Sequence, residues 1–130
     1  MHILVIGAGG MLGAKLLARL GKEGKLGGKA IARVTRYDAV IPPAPPASDY
    51  PVETFVGDLS AAGEPEKLIA GKPDVIFHLA AIVSGEAEKD FEKGYRINLD
   101  ATRILFEVIR KAGGGYKPKV IFTSSIAVFG

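Results

Sequence analysis

Cysteine is absent from this chain of 130 residues. That excludes disulfides, thiolate metal centres and cysteine nucleophiles, and it suits a reducing, cytoplasmic setting better than a secreted one. Long apolar runs are missing as well. No segment approaches the roughly 20 apolar residues of a membrane span, and the opening run Ile3 to Ile6 is too short, and without the basic leader, to be a signal peptide. Charge of one sign is in small excess only, 17 Lys and Arg against 14 Asp and Glu for a net +3. Its basic residues gather at Lys15, Arg19, Lys22, Lys25, Lys29, Arg33 and Arg36. No aromatic residue interleaves with them before Tyr37, and no helix-turn-helix or RNP-like pattern is present. The stretch therefore reads as a solvated helix face and loop, not a nucleic-acid surface.

What the chain does contain is an alternation of short β-branched runs with longer helical periodicities. The apolar fraction of 48% and the length suit one globular domain and are too small for two. Strands are expected at His2 to Ile6, Ala30 to Tyr37, Val52 to Val56, Val75 to Leu79 and Lys119 to Thr123. Helices are expected at Met11 to Leu20, Pro65 to Ala70 and Glu86 to Lys111. Five prolines between Ile41 and Pro51 mark an extended loop inside the domain. Strands alternating with helices predict an α/β, Rossmann-type, doubly wound parallel sheet buried on both faces. Right-handed crossovers give it the order 3-2-1-4-5, with a ligand crevice where the order reverses.

The motif HILVIGAGGMLG runs from the first strand through Gly7, Gly10 and Gly13 into a helix. Gly7 permits the tight turn, Gly10 leaves backbone N–H groups open to a pyrophosphate, and Gly13 allows the helix to sit close to the strand; Gly9 adds further freedom. Tight turns use glycine for geometry alone, so position matters: the motif directly follows a buried strand, which favours dinucleotide binding. Asp38 closes the second strand, where a carboxylate accepts from both ribose hydroxyls and repels a 2′-phosphate, favouring NAD. Its distance from Gly7 exceeds the usual spacing, and Gly21 to Lys29 looks like the insertion responsible. Arg36 competes with that reading if its side chain turns toward the ribose. Gly57-Asp58-Leu59-Ser60 follows the third strand and alone is little more than a helix cap. His78-Leu79-Ala80-Ala81 ends the fourth, and His78 reads as a structural hydrogen-bonder before an acid or base. Thr123-Ser124-Ser125 follows the fifth, where serines serve either as turn formers or as hydroxyls facing a substrate. No metal site is expected.

These motifs, with Asn98 on the long helix and TSSIAVFG at the end, stand in the order and spacing of the extended short-chain dehydrogenase/reductases. The whole chain resembles that superfamily of NAD-dependent epimerases and dehydratases. VIFHLAAIVSGEAE, the helix with GY-x-x-NLD-x-T-R and the later GGGY look like those members that oxidise a small sugar acid with NAD. The resemblance implies that Gly7, Gly9, Gly10, Met11, Leu12 and Gly13 form the pyrophosphate turn and that Asp38 binds ribose. It further implies that Asp58 and Leu59 meet adenine and that Leu79, Ala80 and Ala81 line the cofactor channel. Ser125, not Ser124, matches the catalytic serine, and Asn98 matches a position that supports the active site from the helix.

The family's acid/base is a tyrosine with a lysine four residues on, and none of Tyr37, Tyr50, Tyr95 or Tyr116 has that lysine. The expectation is therefore the amino-terminal portion of a longer oxidoreductase, inactive alone, that works on a secondary alcohol. A nucleotide-sugar epimerase or dehydratase, or a non-catalytic NAD-binding module, are the alternatives. Apolar Phe91, Tyr95, Leu99, Ile104, Leu105 and Val108 exceed what one sheet-facing stripe requires, which predicts a homo-oligomer through the long helix.

Overall fold

Every residue of the first strand, β1 (His2–Ile6), is buried, and the two-residue period of a strand splits it between two cores. Ile3 and Val5 face one side, with Leu17, Leu20 and Val34; Leu4 and Ile6 face the other, with Leu68, Ile76 and Leu105. A strand buried on both faces has to be central, and that follows from its unbroken apolar run. The computed structural model describes residues 1–82, 88–125 and 129.

After β1 come α1 (Met11–Glu23), β2 (Lys25–Leu26), β3 (Lys29–Ala30), β4 (Arg33–Asp38), β5 (Val52–Val56), α2 (Glu64–Ala70) and β6 (Val75–His78). Next are α3 (Phe91–Tyr95), a π-helical turn (Arg96–Asp100), α4 (Ala101–Lys111) and β7 (Lys119–Phe122). The main sheet is parallel throughout, in the order β5-β4-β1-β6-β7. Counting its own strands along the chain, this is the expected Rossmann-type 3-2-1-4-5 order. The carboxyl ends of β1 and β6 lie side by side, Ile6 opposite His78. A crevice opens there because the crossovers depart in opposite directions.

The structure differs from expectation in three places. The second sheet strand starts at Arg33 and not at Ala30, because Lys29 and Ala30 pair antiparallel with Lys25 and Leu26 in a separate hairpin. Gly27 and Gly28 both have positive φ (56° and 78°), as a two-residue type I′ turn demands. The insertion is thus a hairpin, and it lengthens the path from Gly7 to Asp38.

α1 also runs past Leu20 to Glu23. Gly21 does not break it; a Cβ there would stand 2.7 Å from the carbonyl oxygen of Ala47, so this glycine marks where the proline-rich loop crosses the helix. That loop lies over α1 in place of a second crossover helix.

Finally, the single long helix is interrupted by the π turn, in which the N–H of Ala101 donates to the carbonyl of Arg96. A π turn inserts one residue and shifts the face that precedes it, a distortion common at functional sites. The first two residues of the expected helix, 86 and 87, lie outside the described residues.

Candidate functional site: a cleft at the carboxyl ends of the strands

At the carboxyl end of β1 the chain must turn sharply and pass beside β6. Gly7 has φ +87°, and a Cβ on it would stand 2.7 Å from the amide nitrogen of Ala80. Its N–H and that of Ala8 both donate to the carbonyl of Tyr37, at 2.9 and 3.1 Å. Gly13 fits an even narrower gap, since its Cβ would fall 2.2 Å from the carbonyl oxygen of Gly7. Gly10 differs, because a Cβ there meets only the Gly7 oxygen, at 3.5 Å. What Gly10 leaves bare is the surface in front of α1, not a packing contact.

α1 begins at that bare surface. Gly10 is its N-cap; no side chain among the described residues caps it, and its first turn carries no acidic residue. The leading N–H groups of a helix have no intrahelical partner, and together with the helix dipole they form a binding place for an anion. Met11 and Leu12 stand in this turn with exposed side chains, so backbone amides are what they offer.

The cleft in front of this turn has a volume of about 660 Å³. Gly7, Gly9 and Gly10 form one wall, Asp38, Asp58 and Leu59 the adjoining one, and Leu79, Ala80 and Ala81 the floor toward β6. Asp38 Oδ2 accepts from the N–H of Gly9 at 2.8 Å, which ties the end of β4 to the glycine turn and holds the carboxylate at the rim.

Arg36 does not compete for the same place. It is 4% exposed. Its Nε and Nη2 donate to Thr54 Oγ1 at 3.0 and 2.8 Å, and its Nη1 donates to the carbonyl of Pro43 at 2.7 Å. The guanidinium thus secures the proline-rich loop, and Arg36 belongs neither to the solvated basic face nor to a phosphate pocket. Lys15, Arg19, Lys22, Lys25 and Lys29 are exposed, as the sequence suggested.

Asp58 is held from two sides. Its Oδ1 accepts from the N–H of Ser60 at 2.9 Å and from the Ser60 hydroxyl at 2.6 Å, and its Oδ2 accepts from Arg96 Nη1. The Ser60 hydroxyl, more than the Arg96 guanidinium, holds this carboxyl below its ordinary value. Lys93, Arg96 and Ile97 also line the cleft, and the sequence reading missed all three. Their spacing of three and four on a helix was the available signal, but which face met the cleft depended on the π turn.

Five expected residues stand outside the cleft lining: Met11, Leu12 and Gly13 in the first turn of α1, and Asn98 and Ser125. Asn98 braces the lining from behind, its side chain accepting from the N–H of Ile82 at 2.8 Å and donating to that residue's carbonyl at 2.9 Å. Ser125 follows β7 and is exposed.

His78 has the structural role its position suggested. It is buried, its Nε2 pairs with Thr102 Oγ1 at 2.8 Å, and its ring meets Phe122 edge-on. Burial lowers its pKa, which keeps the imidazole neutral. Tyr37 lies under the cleft and donates to Glu64 Oε2 at 2.8 Å, and burial raises its pKa. Neither group is free to act as an acid or base near neutral pH. Among the described residues there is no cluster able to hold a metal ion, and no helix long and apolar enough to cross a membrane.

A parallel sheet with an open, uncapped glycine turn at its switch point, and an aspartate ending the next strand, defines a dinucleotide-binding protein of the Rossmann class. The chain belongs to the NAD dependent epimerase/dehydratase family, which it matches over residues 3–130. Over 134 aligned residues it is 42% identical to a D-erythronate dehydrogenase of Cupriavidus necator, covering 100% of this chain and 40% of that protein. The chain therefore spans about two-fifths of the curated relative.

Among solved structures, it superposes with a TM-score of 0.95 on a nucleoside-diphosphate-sugar epimerase from Agrobacterium tumefaciens. That protein is 62% identical, with 99% of this chain and 38% of the other covered. A variant of uronate dehydrogenase from the same species, complexed with NAD, superposes with a TM-score of 0.72 at 30% identity, over 95% of this chain and 40% of that one. NAD is the cofactor of the family.

The residues present fit such a cofactor. The bare Gly10 surface and uncapped α1 suit a pyrophosphate, and Asp38 suits ribose hydroxyls while opposing a 2′-phosphate.

Proposed function

We propose that this chain is the NAD-binding portion of an oxidoreductase acting on a secondary alcohol of a small sugar acid. The observation that carries the cofactor half is the uncapped α1 turn with the Asp38 carboxylate fixed 2.8 Å from the Gly9 N–H. The sugar-acid half is supported by likeness to the dehydrogenases named above. NAD, when bound, accepts a hydride from the alcohol carbon. The pyrophosphate is held by the open backbone amides of Met11 and Leu12 at the uncapped start of α1, the ribose by Asp38, and adenine beside Asp58 and Leu59. Leu79, Ala80 and Ala81 bound the channel, and Asn98 keeps that segment in place through Ile82. Ser125 positions the substrate hydroxyl. The base is a tyrosine with its lysine outside residues 1–130, and the setting is cytoplasmic. The likeness to an epimerase at 62% identity favours a second reading, in which the same half-domain serves a nucleotide sugar. Net NADH production from the sugar acid by the protein that carries the tyrosine and lysine separates the two, since an epimerase returns the hydride.

Calorimetric titration with NAD and NADP tests the cofactor reading. The wild-type protein is expected to prefer NAD, and Asp38→Ala to weaken NAD binding about 10- to 100-fold, the loss of charge-assisted hydrogen bonds. Equal affinity of wild type and variant refutes the ribose contact.

The reading includes a homo-oligomer. Phe91, Tyr95, Leu99 and Phe106 are exposed along α3, the π turn and α4, with the Phe91 and Tyr95 rings tilted against each other, centroids 4.6 Å apart. Leu105 belongs to the core instead, and Ile104 and Val108 are half-buried. Sedimentation of the protein as a monomer at all concentrations removes this part.

A further inference from the structure

The contact between Arg96 and Asp58 joins two parts of the chain that the sheet does not. Asp58 lies in the loop after β5, in the lining of the cleft, and Arg96 opens the π turn that follows α3. Arg96 Nη1 donates to Asp58 Oδ2 and to Ser60 Oγ. The Ser60 hydroxyl in turn donates to Asp58 Oδ1, so guanidinium, hydroxyl and carboxylate close a ring of hydrogen bonds at the mouth of the cleft.

Stability does not explain this ring. The side chains of Arg96 and Asp58 are 49% and 44% exposed, and a wet ion pair contributes between nothing and about 1 kcal/mol. Other exposed pairs here, such as Arg110 with Glu107, join neighbours on one helix turn. The Arg96 pair is held between distant elements, and both partners line the cavity that Gly9 and Asp38 also line.

We propose that Arg96 is a positioning residue for adenine recognition, an inference that rests on the reading of the cleft as an NAD site. A carboxylate is an acceptor only. It suits the exocyclic amino group of adenine and opposes the carbonyl oxygen that hypoxanthine carries at the same ring position. That discrimination requires the carboxylate to stay charged and aimed. Ser60 fixes one oxygen and Arg96 fixes the other, so rotation of the Asp58 side chain is blocked at both ends. The π turn takes part, because it shifts the face carrying Arg96 relative to α4, whose Ala101 and Leu105 remain on the core.

The test is calorimetric binding of NAD and of nicotinamide hypoxanthine dinucleotide to the purified wild-type protein, Arg96→Ala and Arg96→Lys. Thermal melts run alongside check the fold. The wild type is expected to prefer NAD by about tenfold. Arg96→Ala is expected to bind NAD about fivefold more weakly, to bind the hypoxanthine analogue as before, and so to lose most of the preference. Arg96→Lys is expected to fall between, and melting temperatures to stay unchanged. Unchanged or tighter NAD binding by Arg96→Ala, or a preference that survives the substitution, overturns the proposal; tighter binding identifies the pair as an obstruction. If the wild type binds NAD and the variants match it, only the role of Arg96 falls. If the wild type binds neither dinucleotide, the cofactor reading falls and takes this inference with it.

Discussion

Gly13→Ala is expected to destabilise the protein by about 3 kcal/mol, lowering the melting temperature by about 10 °C, and to abolish NAD binding. The added methyl would meet the Gly7 carbonyl oxygen at 2.2 Å and two backbone atoms of Ala8 at 2.8 and 2.9 Å. None of these is the movable end of a side chain. Relief requires α1 to separate from the end of β1, and β1 is the centre of both cores. Gly10→Ala is the control, because its methyl finds only an ordinary contact at 3.5 Å. That variant is expected to melt like the wild type and still bind NAD weakly, since its methyl stands on the surface that receives the pyrophosphate. Urea denaturation with parallel NAD titration separates the two outcomes. Gly13→Ala with wild-type stability would show that the helix does not approach the strand this closely.

Leu105→Ala is expected to cost about 3 kcal/mol, by lost transfer energy and by the cavity left behind. Leu105 is 0% exposed and stands on α4 against Leu4, Ile6 and Ile76 of the sheet and Leu68 of α2. This contact fixes α4 to the sheet and thereby places the π turn, Asn98 and Arg96 at the cleft. Leu99→Ala, six residues earlier and exposed, is expected to change the stability of the monomer by no more than about 0.5 kcal/mol. Chemical denaturation of the two variants checks the contrast. A loss at Leu105 no larger than at Leu99 would mean that α4 does not form this core.

Much of the cleft lining was legible in the sequence because it is built from backbone near one strand end. HILVIGAGGMLG states its turn through the glycines, and Asp38 and GDLS sit at strand ends that their apolar runs predict. Arg36 was the misleading residue. Its charge suggested either solvent or a phosphate, and burial against Thr54 and Pro43 gave it a structural use instead. Lys93 and Arg96 were passed over because a helix reveals which residues share a face, but not what that face meets.

Strand succession, the parallel sheet and its switch point were determined by the sequence alone, since apolar periodicity and turn residues are local properties and crossover handedness leaves few topologies. The π turn and the pairing of Arg96 with Asp58 were decided only in the tertiary structure. Each depends on contacts between segments far apart in the chain or on a shift of one residue in helical phase. The energies involved are small, and no periodic pattern of side chains records them.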